Sequence, residues 1–131
     1  MQQHDYSDDD DFFSQDFMRP GLVSVWLALP EFSVTANVDA LQTRCGVGYY
    51  RLDDQEANAS KGEPLSIEWL LEPISYSLSF SSKIVEEAKS KGIVSSRWVL
   101  VQFDFEYDSS RVHRPIVPTL LYIATVPYHV D

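Results

Sequence analysis

The sequence predicts a single α+β domain, with a mixed or mostly antiparallel sheet of about four strands and two or three helices packed on one face. Three observations lead there. Of 131 residues, 44% are hydrophobic and 13% aromatic, which suits a chain that buries one self-sufficient core. Strand-like runs, Leu22 to Leu29, Arg97 to Tyr107 and Thr119 to Val126, stand beside runs at helical spacing around Leu41, Leu70 and Ile84. Strands with segregated helices indicate α+β layering, and no internal repeat or linker splits the chain.

Residues 1–19 read as an acidic tail with a short aromatic segment, and residues 20–131 as the domain. The run Asp8 to Asp11 looks superficially like a calcium site. A calcium loop alternates its ligands and turns at a glycine, and four adjacent aspartates do neither. Phe13 and Phe17 lie four apart, so a short helix would lay both on the domain. Pro20-Gly21 then punctuates. In Leu22 to Leu29, Val23, Val25, Leu27 and Leu29 share one face, and Leu22, Ser24, Trp26 and Ala28 the other. Two largely apolar faces predict a central strand. Pro30 ends it.

Ser33 is a plausible N-cap for a helix to about Arg44, with Val34, Val38 and Leu41 on one face. Gly46 and Gly48 stop it. Val47 to Leu52 predicts a short strand, and Asp53 to Pro64 a polar loop without periodicity. Ser66 caps a short helix in which Ile67, Leu70 and Leu71 share a face, and Pro73 closes it. After a turning stretch, Ser79 or Ser81 opens a second helix, with Phe80, Ile84, Val85 and Ala88 inward and Gly92 as its C′ residue. Arg97 to Tyr107 is the next strand. The loop Ser109 to Pro115 is polar and basic, with Arg111, His113 and Arg114. Thr119 to Val126 is the last strand.

Charge and motif content narrow the function. The net charge is −10, from 20 acidic and 10 basic residues. That balance disfavours nucleic acid and anionic membranes as direct partners and favours a basic protein. The first residues lack the basic and apolar runs of a secretory signal, and no apolar run approaches the length of a membrane span. The expectation is a soluble, cytoplasmic protein. Cys45 is the single cysteine, so no intrachain disulfide is possible, which suits a reducing compartment. His4, His113 and His129 are far apart, and neither Cys-x-x-Cys nor His-Glu-x-x-His occurs, so no metal site is expected. Phosphate-cradling glycine loops are also absent, and no cofactor is expected.

The most informative stretch is Val99 to Asp108. Regular alternation puts Val101, Phe103, Phe105 and Tyr107 on one side and Gln102, Asp104, Glu106 and Asp108 on the other. Same-face neighbours then repeat about every 7 Å, and no Lys or Arg interrupts the row. The bland account is a solvated face. The sharper one is a docking surface for something basic, carried by Asp104, Glu106 and Asp108, with Asp53, Asp54 and Trp69 as weaker candidates. Trp69 enters because exposed tryptophans are frequent interface anchors. Two other classes compete. One is a small enzyme built from Cys45, a histidine and carboxylates distant in sequence, which needs a pocket and an accessible thiol. The other is a generic regulatory domain that uses its acidic tail as the contact.

Leu22-Val-Ser-Val-Trp-Leu-Ala-Leu29 resembles the opening strand of the bacterial immunity protein 22 family. Ile74-Ser-Tyr-Ser-Leu-Ser-Phe80 entering the helix Ser81 to Lys91 is similar to it as well. So are Trp98 to Tyr107 and Leu121-Tyr-Ile-Ala-Thr-Val-Pro-Tyr128. Together these stretches cover most of residues 22–128. The resemblance implies a non-enzymatic antidote of a polymorphic toxin system, which binds and blocks a cognate toxin domain in the cytoplasm of the producing cell. Toxins of this kind are often nucleases with basic clefts. An acidic inhibitor would be steered to such a cleft, with association rates rising towards about 10⁸–10⁹ M⁻¹s⁻¹ at low salt.

Overall fold

A strand whose two faces are both apolar must be covered on both sides, and the first strand has that place. The computed structural model describes residues 15–30, 40–112, 116 and 119–130. Along these residues run β1 (Met18–Ala28), α1 (Ala40–Cys45), β2 (Gln55–Ala59), β3 (Leu65–Ser66), α2 (Ile67–Leu71), α3 (Ser81–Ser90), β4 (Ser95–Ser96), β5 (Trp98–Phe105) and β6 (Leu120–Pro127). Four strands form one antiparallel sheet in the order β2-β5-β1-β6, and β3 and β4 form a two-stranded ribbon. This is a small α+β domain, as composition and periodicity predict.

Two cores sandwich the sheet. On one face Val23, Val25, Leu27, Val99, Val101 and Phe103 pack under Ile67, Leu70 and Leu71 of α2 and Phe80, Ile84 and Ala88 at and within α3. On the other, Trp26, Leu100, Phe105, Tyr107 and Leu120 pack with Phe17 and with Ala40, Leu41 and Cys45 of α1. Aromatic edges organise this second layer. Trp26 meets Tyr107 edge-on at 5.2 Å between ring centroids, and Phe17 meets Phe105 at 5.3 Å, both in the favoured T-shaped range.

The alternation expected through Val101, Phe103, Phe105 and Tyr107 does not hold. Val101 and Phe103 lie in the first core, whereas Phe105 and Tyr107 lie in the second. The cause is Asp104, whose φ is 55°. A left-handed residue turns the strand over, so the side chains after it exit on the opposite face. The partner strand answers with a bulge. Met18 pairs with Phe105 and Val23 with Phe103, so four residues of β1 stand opposite Asp104 alone. Gly21, at φ 84°, makes that bulge possible. Pro20-Gly21 thus lies within β1 rather than before it. With Gln15 and Phe17 already buried, the domain starts ahead of residue 20. Phe17 is not helical, and Phe13 and the Asp8 to Asp11 run lie outside the described residues.

Other elements follow their local signals. Ser66 caps α2 by accepting the Trp69 N–H at 3.2 Å. Gly92, at φ 81°, closes α3, and the Ile93 N–H bonds the Ala88 carbonyl at 2.9 Å. Neither Ser79 nor Ser81 caps α3, which opens from Phe80 without a side-chain cap. The strand expected over Val47 to Leu52 is irregular backbone and the start of a 3₁₀ turn, Leu52–Asp54. The stretch expected to be loop supplies β2 instead. Residues 31–39, which hold most of the helix expected from Ser33, lie outside the described residues.

Candidate functional site

The acidic row on β5 is not one surface. Gln102 is fully buried; its Nε2 donates to the Arg51 carbonyl at 2.8 Å, and its Oε1 accepts from Gln55 at 3.3 Å. Asp104 is half-buried and spends one carboxylate oxygen inside the molecule. That Oδ1 accepts the Gly21 N–H at 2.9 Å and the Tyr128 hydroxyl at 2.6 Å, which ties the bulge of β1 to the segment after β6. Glu106 lies past the end of β5 with Arg19 Nε at 3.8 Å. Asp108 caps the following 3₁₀ turn by accepting from the Ser110 N–H and hydroxyl, with Arg111 Nε at 3.8 Å. The Ser110 hydroxyl and N–H, helped by Arg111, hold the Asp108 carboxyl below its ordinary value. The flip at Asp104 and these internal partners replace the one-sided ridge that alternation predicts.

Asp53 and Asp54 sit in the 3₁₀ turn before β2. Asp53 is exposed, and Asp54 pairs with Arg51 Nε at 3.4 Å. Asp54 and Asp104 converge electrostatically on Tyr128. Burial, then the hydrogen bond to Asp104, then the charges of Asp104 and Asp54 push the Tyr128 phenol well above its ordinary range. Two of the sequence candidates therefore act on one tyrosine.

Trp69 has a different setting. It stands on the outer side of α2 and is 50% exposed. The helix places it there because Ile67, Leu70 and Leu71 take the buried side. It lines an open depression of about 620 Å³ together with Ser66, Glu68, Glu72, Ser77, Leu78 and Ser81. Leu78 is 96% exposed. Glu68 and Glu72 are four apart, on the helix and its C-cap, and neither has an ion-pair partner among the described residues. Here apolar surface and uncompensated negative charge adjoin. Past the end of β5, by contrast, Glu106 shares Arg19 with Asp16, and Asp108 has Arg111.

Leu78 and Glu72 were not singled out as binding residues by sequence reasoning. Ile74, Tyr76, Leu78 and Phe80 alternate with serines at strand period, but the backbone is a 3₁₀ turn over Ser77–Ser79, so the period carries no sign that Leu78 is exposed.

Cys45 is 1% exposed in the second core, where the Tyr107 hydroxyl donates to its carbonyl at 2.7 Å. His129 is on the segment after β6, and His4 and His113 lie outside the described residues. Among the described residues no group of three His, Cys, Asp or Glu side chains can hold a metal ion. No helix among them is long and apolar enough to cross a membrane. No protein-family model, curated protein or solved structure matches the chain.

Proposed function

We propose that the chain is an immunity-type protein that binds a basic toxin domain in the cytoplasm of the producing cell and neutralises it by contact, without making or breaking bonds. The observation that carries this reading is the depression between Trp69 and Leu78, flanked by Glu68 and Glu72. Exposed aromatic and aliphatic side chains beside unpaired carboxylates match a partner that offers apolar groups among lysines and arginines. The net charge of −10 adds long-range attraction to such a partner. The sequence resemblance points the same way. Asp53 and the carboxylates of β5 contribute to the overall field rather than forming the docking face. The burial of Cys45 weighs against the small-enzyme reading, because a thiol closed to solvent cannot reach a substrate.

Co-expression tests this. The partner to use is the variable C-terminal domain of a large secreted protein sought immediately upstream of the gene for this chain, and the absence of such a neighbour counts against the proposal. The chain should restore growth of cells producing that domain, and Trp69→Ala combined with Glu72→Lys should abolish the rescue without lowering the amount of folded protein. Failure of the unmodified chain to rescue, or rescue indifferent to that double substitution, overturns the proposal.

A further inference from the structure

We infer that Leu78 is an insertion residue: it enters an apolar pocket of the partner whose mouth is lined by lysine or arginine, and the turn around it is the rigid mount that presents it. The inference rests on the protein-binding reading above and adds the direction of insertion. A single exposed leucine is ordinary on a protein surface. This one differs in what holds it.

The backbone on either side of Leu78 is fixed. Ser77 and Phe80 are buried, while Leu78 between them is almost wholly exposed. The Ser77 N–H bonds the Ile74 carbonyl at 3.2 Å, the Ser79 N–H bonds Tyr76 at 3.0 Å, and the Phe80 N–H bonds Ser77 at 3.0 Å. The serine side chains add to this. Ser77 Oγ donates to the Glu72 carbonyl at 3.3 Å and Ser79 Oγ to the Tyr76 carbonyl at 2.7 Å. Ser79 Oγ also accepts the His129 N–H at 2.9 Å, and Glu56 on β2 accepts the Ser75 N–H at 2.9 Å. The turn is thus tied to α2, to β2 and to the segment after β6.

Tyr76 completes the mount at a cost. Its φ is 59°, an uncommon conformation for a bulky residue. Its ring stacks on Tyr128 at 5.7 Å and meets Phe103 edge-on at 5.9 Å. A strained, heavily hydrogen-bonded turn that exposes an aliphatic side chain has already lost the backbone entropy that binding would otherwise remove. Glu68 and Glu72 border the same depression. Their charge favours cations at the mouth of the pocket that receives Leu78. The occupant that fits is the substrate cleft of a basic toxin domain, with an apolar floor.

The experiment titrates the toxin domain named above with the full chain and with Leu78→Met, Leu78→Ala and Leu78→Asp, and records thermal melts of each. Leu78→Met should bind within a few-fold of the parent. Leu78→Ala should bind about 10- to 100-fold more weakly, and Leu78→Asp more weakly still. All three should melt with the parent, because the side chain supports nothing inside. Full binding by Leu78→Asp alongside weakened binding by Trp69→Ala overturns the insertion and leaves the docking face standing. No binding by the parent overturns both. Self-association of the parent that Leu78→Asp abolishes in sedimentation assigns the residue to a contact between copies and also overturns the inference.

Discussion

Replacing Asp104 with alanine should destabilise the fold by about 3 kcal/mol. The figure follows from two losses. The Gly21 N–H and the Tyr128 hydroxyl lose their shared acceptor. Hydrogen bonds to a charged acceptor are worth about 1.5–3 kcal/mol when buried, and about 1 kcal/mol each is appropriate for this half-exposed carboxylate. Alanine must also adopt the φ of 55° found at this position, at a cost of about 1 kcal/mol that aspartate and asparagine largely escape by local hydrogen bonding. The rest of the series is ordered by the same physics. Asparagine keeps an acceptor oxygen and tolerates the left-handed backbone, so it should lose about 1 kcal/mol. Glycine loses both bonds but accepts the backbone freely, so it should fall between asparagine and alanine. For a chain of this length each kcal/mol moves the melting temperature by about 3–5 °C. Urea unfolding at constant m-value, with thermal melts beside it, resolves the order Asp, Asn, Gly, Ala. An alanine variant as stable as the parent, or a neutral Asp104→Lys, would show that this carboxylate is a free surface charge and refute the account of the bulge.

Three further outcomes follow. Burial and neighbouring negative charge raise the Tyr107 and Tyr128 phenols above the ordinary value of 10.0; the neutral forms are favoured by the fold, so their stabilisation is intact below that pH and fades as pH rises through it. Absorbance at the phenolate band should therefore show both tyrosines ionising only above the ordinary tyrosine range in the folded protein, with melting temperature falling from pH about 10 upward; ionisation of every tyrosine within that ordinary range in a still-folded chain contradicts this. Cys45 should react with a thiol reagent only as fast as the protein opens, and a rapid phase in the native state refutes its burial. Gln102→Leu strands the Arg51 carbonyl and the Gln55 amide and should cost about 1–3 kcal/mol in urea unfolding; a neutral outcome would show that water satisfies both.

Elements with an apolar period were legible in the sequence. The two-sided run in β1 announces a central strand, and Ile67, Leu70 and Leu71 with the Ser66 cap announce α2. What lacked such a period was missed. β2 reads as loop because its side chains Glu56 and Asn58 face the helical side as hydrogen-bonding groups, to Ser75 and to the Leu70 carbonyl, so its pairing with β5 leaves no hydrophobic trace. The ridge on β5 was misread for a different reason. Period-two reasoning assumes ordinary backbone at every step, and one left-handed aspartate reverses every side chain beyond it. Nothing at that position marks the reversal, since the bulge that accommodates it lies some 80 residues earlier, at Pro20-Gly21. Of the candidate site, Trp69 was found by residue type. Leu78 and Glu72 join it only through folding, because the turn that follows α2 brings them to the same depression.

Because β5 gives Val99, Val101 and Phe103 to one layer and Leu100 and Phe105 to the other, the layers share a spine and cannot melt separately. Opening either one bares the middle strand that centres both. Amide protons along β5 should accordingly exchange only through whole-molecule opening, and the protein should unfold as one cooperative body rather than shedding a subdomain.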